Sequence, residues 1–217
     1  MSPALHAVFV AWLLACASTD DAASRPHPPR DPWTARAAPG EPDAVARGRA
    51  VFASCASCHL VDASGRADGS VPRLAGQPAE VLVDKLTRLR DGRLRLPVME
   101  AFARSLSPQE IADVAAFLAR LPTQAETSGA SSPHAAGCVA CHGEAGLPGL
   151  PQLCGQHAPY LVRRAQDFVA GTRAVRPGFA PLVATMVDAL AALPEGGLEA
   201  LADDLAAGRC APPPVTP

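Results

Sequence analysis

Apolar residues recur along most of this chain with the 3.6-residue period of helices rather than the two-residue period of strands. Ile111, Val114, Ala115 and Leu118 stand at i, i+3, i+4 and i+7, which draws one apolar stripe along a helix. Ser107, Pro108 and Glu110 precede it as N-cap, first helical residue and acidic partner of a capping box. Leu198, Leu201, Ala202 and Leu205 repeat the stripe behind Pro194 and Glu195. Two further helices are predicted over about 77–91 and 156–170, stopped by Gly92 and Gly171, since glycine ends helices in the left-handed conformation at little cost. No segment alternates over strand length, so the expected class is all-α.

The pattern also repeats at long range. Cys55-Ala-Ser-Cys58-His59 recurs as Cys138-Val-Ala-Cys141-His142, displaced by 83 positions. Pro72-Arg73-Leu74-Ala75-Gly76-Gln77 recurs as Pro151-Gln152-Leu153-Cys154-Gly155-Gln156, displaced by 79, and the same offset pairs Gly92 with Gly171. Met99, Leu106 and Leu118 align with Met186, Leu193 and Leu205 at 87. Two homologous units are therefore expected, at 43–122 and 134–210. The Ser-, Gly- and Pro-containing stretch 123–133 reads as a linker between them, and 211–217 as a tail.

The cysteine spacing carries the chemistry. In Cys-x-x-Cys-His two thiols on one helical turn can form thioethers with the two vinyl groups of one porphyrin, and the adjacent imidazole then reaches the iron. Cys55, Cys58 and His59 would hold one heme c; Cys138, Cys141 and His142 would hold a second. Each iron needs a sixth ligand. Apart from the initiator there are two methionines, once per unit at aligned positions: Met99 lies 41 residues after Cys58 and Met186 lies 45 after Cys141. A thioether on each iron would close the coordination sphere and raise the potential. His134 and His157 are the alternative ligands for the second iron, although a surface or helix-start histidine is the plainer reading of both. A structural zinc site is a poor match, because 79 residues separate Cys58 from Cys138 whereas ribbons and fingers space their pairs by roughly 12–20. A thioredoxin-like pair would need a βαβ setting and no following histidine.

Composition bears on compartment and partners. The chain has 217 residues, 48% hydrophobic and only 4% aromatic, with a formal charge of -2. It is too apolar for a disordered chain and lacks the basic runs that nucleic-acid binding requires. So few rings leave room in the core for a cofactor. The apolar run from Ala7 to Ala17 is shorter than the roughly 20 residues of a membrane span and has the length of a signal-peptide core. Leu13-Leu14-Ala15-Cys16 resembles a bacterial lipobox, giving a signal peptide over 1–15, Cys16 as a lipidated anchor in the membrane, and a Pro-rich tether over 16–42. Ordinary cleavage shortly after Cys16 is the alternative. Cys154 and Cys210 then remain, either paired as export allows or as a buried free thiol and a tail thiol. Residues 43–122 carry 11 Lys+Arg against 9 Asp+Glu, and 134–210 carry 5 against 7. Lys85, Arg88, Arg90, Arg93 and Arg95 supply most of the basic excess, as a solvated helix face or as a patch that steers an acidic partner.

Together these motifs, in double register over about 43–210, resemble the periplasmic diheme cytochromes c of the c-four type. The resemblance implies two tandem class I cytochrome c domains, each wrapped around one covalently bound heme, with His/Met ligation in both. It implies that the carbonyls of Pro72 and Pro151 accept hydrogen bonds from the proximal histidines. It also implies a monomeric periplasmic electron carrier, not an enzyme, working between respiratory or dehydrogenase complexes and a terminal oxidase or reductase. The alternatives are a permanent heme subunit of a periplasmic dehydrogenase or reductase and, further off, a diheme peroxidase. Two departures stand out. The second unit has only SSPHAAG before Cys138, so its first helix looks truncated, and Gly171 lies 15 residues before Met186 against 7 from Gly92 to Met99.

Overall fold

The computed structural model describes residues 42–123, 132, 135–143, 146–176 and 178–210. The expected signal segment, Cys16, the tether up to residue 41, most of the linker, His134 and the tail lie outside the described residues. Among those described, regular structure is helical: α1 (Pro42–Phe52), α2 (Ala56–His59), α3 (Ala79–Arg90), α4 (Pro97–Arg104), α5 (Pro108–Arg120), α6 (Ala136–His142), α7 (Ala158–Val169), α8 (Ala180–Ala191) and α9 (Gly197–Ala206). Both halves lie within one compact unit of the chain.

In the first half α1 packs on α5, and α3 packs on both α5 and α4. Ser107 caps α5 in a full capping box with Glu110, fixing where that helix starts. The stripe Val114, Ala115 and Leu118 is buried together with Phe52, Leu82 and Phe117. The Phe52 and Phe117 rings meet at 5.6 Å between centroids, within the range of favourable tilted pairs. Gly48 brings α1 against the backbone of α5 beside Asp113. Arg47 binds the buried carboxylate of Asp113 through Nε at 2.7 Å and Nη2 at 3.1 Å.

The second half keeps α7 against α9 and α8 but differs at its entrance. The position of Phe117 is taken 87 residues later by Asp204, which accepts hydrogen bonds from the Ser132 hydroxyl and from Arg209. Ser132, placed in the linker by its composition, is buried, and its carbonyl accepts the Ala135 and Ala136 N–H groups. A polar pair thus stands where the first half has the Gly48 and Phe117 contact of two helices.

The methionine-bearing segments are helices that periodicity did not predict. Met99 lies five residues before the end of α4, and Met186 five before the end of α8. Since α8 has 12 residues and α4 has 8, one added turn on the N-terminal side takes up half of the longer approach to Met186. α4 is too short, and α8 too evenly apolar, to show a stripe.

Candidate heme centres

Each half places its Cys-x-x-Cys-His on a short helical turn and then folds the P-x-L-x-G-Q segment back over it. Gly76 N–H donates to the Leu118 carbonyl at 2.9 Å, and Gly155 N–H donates to Leu205 at 2.8 Å, so the segment is pinned to the last helix in both halves. Both glycines have φ near +70°, a conformation that glycine adopts without a Cβ penalty. The segment brings a proline carbonyl to each histidine. His59 Nδ1–H donates to Pro72 O at 3.1 Å, and His142 Nδ1–H to Pro151 O at 2.8 Å.

That contact decides which nitrogen is available. With Nδ1 carrying the proton, Nε2 is left as the lone-pair donor, the form in which histidine ligates metals. Burial pushes both imidazoles below their ordinary pKa, and the carbonyl hydrogen bond opposes this in part. The shift favours the neutral imidazole, the form that ligates a metal.

Cys55, Cys58, Cys138 and Cys141 stand outside any disulfide, which leaves one pair of sulfurs in each half for thioether bonds to a porphyrin. Cys154 and Cys210 are joined in a disulfide with Cα atoms 6.2 Å apart, and Cys210 is buried among Leu161, Leu201 and Leu205. Met99 is partly buried against Leu89, Leu94 and Ala103, a cluster distinct from the one containing Cys55, with Leu86 touching both. Met186 is half-buried on α8. His157 does not approach as a free ligand: its Nε2–H donates to the Ser64 carbonyl at 2.8 Å.

The residues present fit a porphyrin that carries two propionates. Arg73 Nε and Nη1 and Arg164 Nε are buried without a hydrogen-bond partner in the protein, and burial pushes the Arg73 guanidinium down. Burial likewise drives Lys85 down to about 8, with Arg173 adding to the shift and Asp84 opposing it. Arg164 already pairs with Asp167 through Nη2 at 2.9 Å, whereas Arg73 and Lys85 are cations whose burial an anion such as a propionate would offset. The apolar helix α8 contributes no buried residue, and Leu182 on it is 41% exposed. Val98 and Phe102 on α4 are 70% and 44% exposed. Both helices thus offer apolar surface that the polypeptide does not cover.

The basic run is neither a wholly solvated face nor an exposed patch. The Arg88 side chain is only 12% exposed, pairs with Asp84 and donates to the Ala174 carbonyl at 3.0 Å, because α3 turns this face toward the second half. Arg93 and Arg95 do reach solvent, where they pair with Asp91 and Glu100.

An all-helical fold with two Cys-x-x-Cys-His turns, each histidine oriented by a proline carbonyl, defines a c-type cytochrome with two heme centres. A cytochrome c family model matches residues 45–122. The chain is 33% identical to cytochrome c4 of Pseudomonas aeruginosa over 147 residues, 59% of this chain and 73% of that protein. It is 35% identical to a thiosulfate dehydrogenase electron acceptor of Stutzerimonas stutzeri over 140 residues, 55% of this chain and 65% of that protein. The crystal structure of reduced recombinant cytochrome c4 from Pseudomonas stutzeri superposes with a TM-score of 0.60 at 26% identity, covering 75% of this chain and 97% of that one. The chain belongs to the cytochrome c4 family. It is a diheme electron-transfer protein, and its cofactors are two covalently attached hemes c.

Sequence reasoning missed the residues that join the halves. Gln77, Gln156 and Arg73 cross the boundary, and the one available signal was that the glutamine recurs at the aligned position.

Proposed function

We propose that this protein is a periplasmic electron carrier, in which His59 and Met99 ligate one iron and His142 and Met186 the other, within two domains near 43–122 and 134–210. The observation that carries this reading is the pair of His Nδ1–H bonds to Pro72 and Pro151, which leaves one nitrogen per half for the iron. Bound heme supplies reversible one-electron exchange at its iron. The chain's residues would do the rest: Cys55, Cys58, Cys138 and Cys141 would anchor it, His59 and His142 would ligate through Nε2 with a basicity set by the proline carbonyls, and Met99 and Met186 would each supply a thioether ligand. A carrier whose ligands stay in place rearranges little when charge changes.

The disulfide supports an oxidising compartment, and Cys16 supplies the lipid anchor that holds a monomer at the membrane surface. Redox proteins, not nucleic acid, are its partners. A second reading, a heme subunit held in a dehydrogenase, is favoured by the similarity to a thiosulfate dehydrogenase electron acceptor; co-purification of a dehydrogenase at constant stoichiometry would select it.

The test is the oxidised optical spectrum of the exported protein. The sulfur-to-iron band at the red end corresponds to two irons per chain, and M99A or M186A each removes half of it. Loss of none overturns the ligand assignment.

A further inference from the structure

The two halves are joined by a reciprocal pair of glutamine clamps. Gln156 of the second half accepts the Arg73 N–H through Oε1 at 3.0 Å and donates from Nε2 to the Arg73 carbonyl at 3.1 Å. Gln77 of the first half does the same to Gln152, accepting its N–H at 3.2 Å and donating to its carbonyl at 2.8 Å. Arg73 and Gln152 are equivalent in the repeat, as are the two glutamines. Both glutamines are buried, 7% and 5% exposed, and Gln156 Oε1 also takes the His157 N–H at 3.1 Å.

The clamped N–H is the other end of a peptide group already in use. The carbonyl of Pro72 and the N–H of Arg73 belong to one amide, as do the carbonyl of Pro151 and the N–H of Gln152. Each of these amides therefore accepts from a proximal histidine on one side and donates to a glutamine of the opposite half on the other. The chain of contacts in each direction is His59, Pro72–Arg73, Gln156 and His142, Pro151–Gln152, Gln77.

We infer that Gln77 and Gln156 are positioning residues acting across the boundary, each tuning the proximal histidine, and so the heme potential, of the other half. Hydrogen bonds in series polarise one another. Donation by the Arg73 N–H makes the Pro72 carbonyl a better acceptor, which leaves more electron density on His59 Nε2 and favours the ferric iron. Without Gln156 that carbonyl weakens as an acceptor and the first heme's potential rises. The inference rests on His59 and His142 being the proximal ligands.

The test uses the full heme-loaded chain and two variants, Q156L and Q77L, in redox titrations followed by heme-methyl NMR shifts assigned to each half. Q156L should raise the potential of the first-half heme and leave the second nearly unmoved; Q77L should do the reverse. General loosening would move both hemes together in both variants, and that result, a shift of the mutated half's own heme, or no shift would overturn the inference. If a variant fails to load heme, the unaltered protein decides the matter. Its Gln77 and Gln156 side-chain amides should exchange with solvent at least tenfold more slowly than exposed glutamines and show cross-peaks to Gln152 and Arg73. Fast exchange with no such cross-peaks overturns it. A wrong ligand assignment shows separately, as an oxidised spectrum lacking the His/Met signature before any glutamine is changed.

Discussion

Gly48 lies so close to α5 that a Cβ placed on it would overlap the carbonyl of Asp113 and press on the Cβ of Phe117. Both neighbours are part of, or rigidly attached to, a helix backbone, so neither can swing aside. We predict that G48A destabilises the protein by about 2 kcal/mol or more, the upper part of the range for overpacked sites. Gly92 is the matching control: its φ is +70° but a Cβ would meet nothing, so G92A carries only backbone strain, about 1 kcal/mol. Urea denaturation of the two variants orders them; equal losses would refute the packing argument.

That contrast also shows what the sequence made legible. The helices near 79–90 and 158–169 stood out because each is closed by a glycine, Gly92 or Gly171, and because the segment recurs at the same offset of 79 in both units. The capping box of α5 needs only four consecutive residues, and Cys-x-x-Cys-His is equally local, so both are visible without a fold. Arg88 turning inward, Ser132 docking on Asp204, and Gln77 and Gln156 crossing the boundary depend on how one half meets the other. Linear periodicity holds no record of that. The truncated start of the second unit was visible as a short segment before Cys138, and the offset of 87 already sets Asp204 in the place of Phe117, but the contact of Asp204 with Ser132 appears only when the chain is packed.

Asp113 sets an acid limit to stability. The Arg47 hydrogen bond holds its carboxyl below the usual range, against the opposing effect of burial, with Gln109 adding a further hydrogen bond. A carboxyl with a depressed folded pKa contributes stability that is present above its unfolded value, about 4, and is lost as pH falls through the folded value. Stability should therefore drop as pH is lowered below about 4, and D113N should flatten that drop while costing about 1 kcal/mol at pH 7 by weakening one charged hydrogen bond. Because Arg47 is half exposed, the cost stays well below that of breaking a fully buried pair. Denaturation midpoints at pH 7, 5, 4 and 3 supply the comparison, and an acid limb unchanged in D113N would count against the assignment.

The Cys154 to Cys210 disulfide spans 56 positions and staples the end of the chain to the segment that carries Pro151. Closing a loop of that length restricts the unfolded chain by about 4 kcal/mol in the chain-entropy model. The double variant C154A/C210A should lose stability of that order. Reductant should lower the melting temperature of the unaltered protein and leave the variant where it was. Identical melting of both proteins with and without reductant would show that the bridge contributes nothing.

The most direct test of the central claim is a count of hemes on the exported chain. A pyridine hemochrome assay referred to protein mass should find two hemes per polypeptide, both retained after denaturation because thioethers to Cys55, Cys58, Cys138 and Cys141 hold them. One heme, none, or heme released by denaturant would contradict the account.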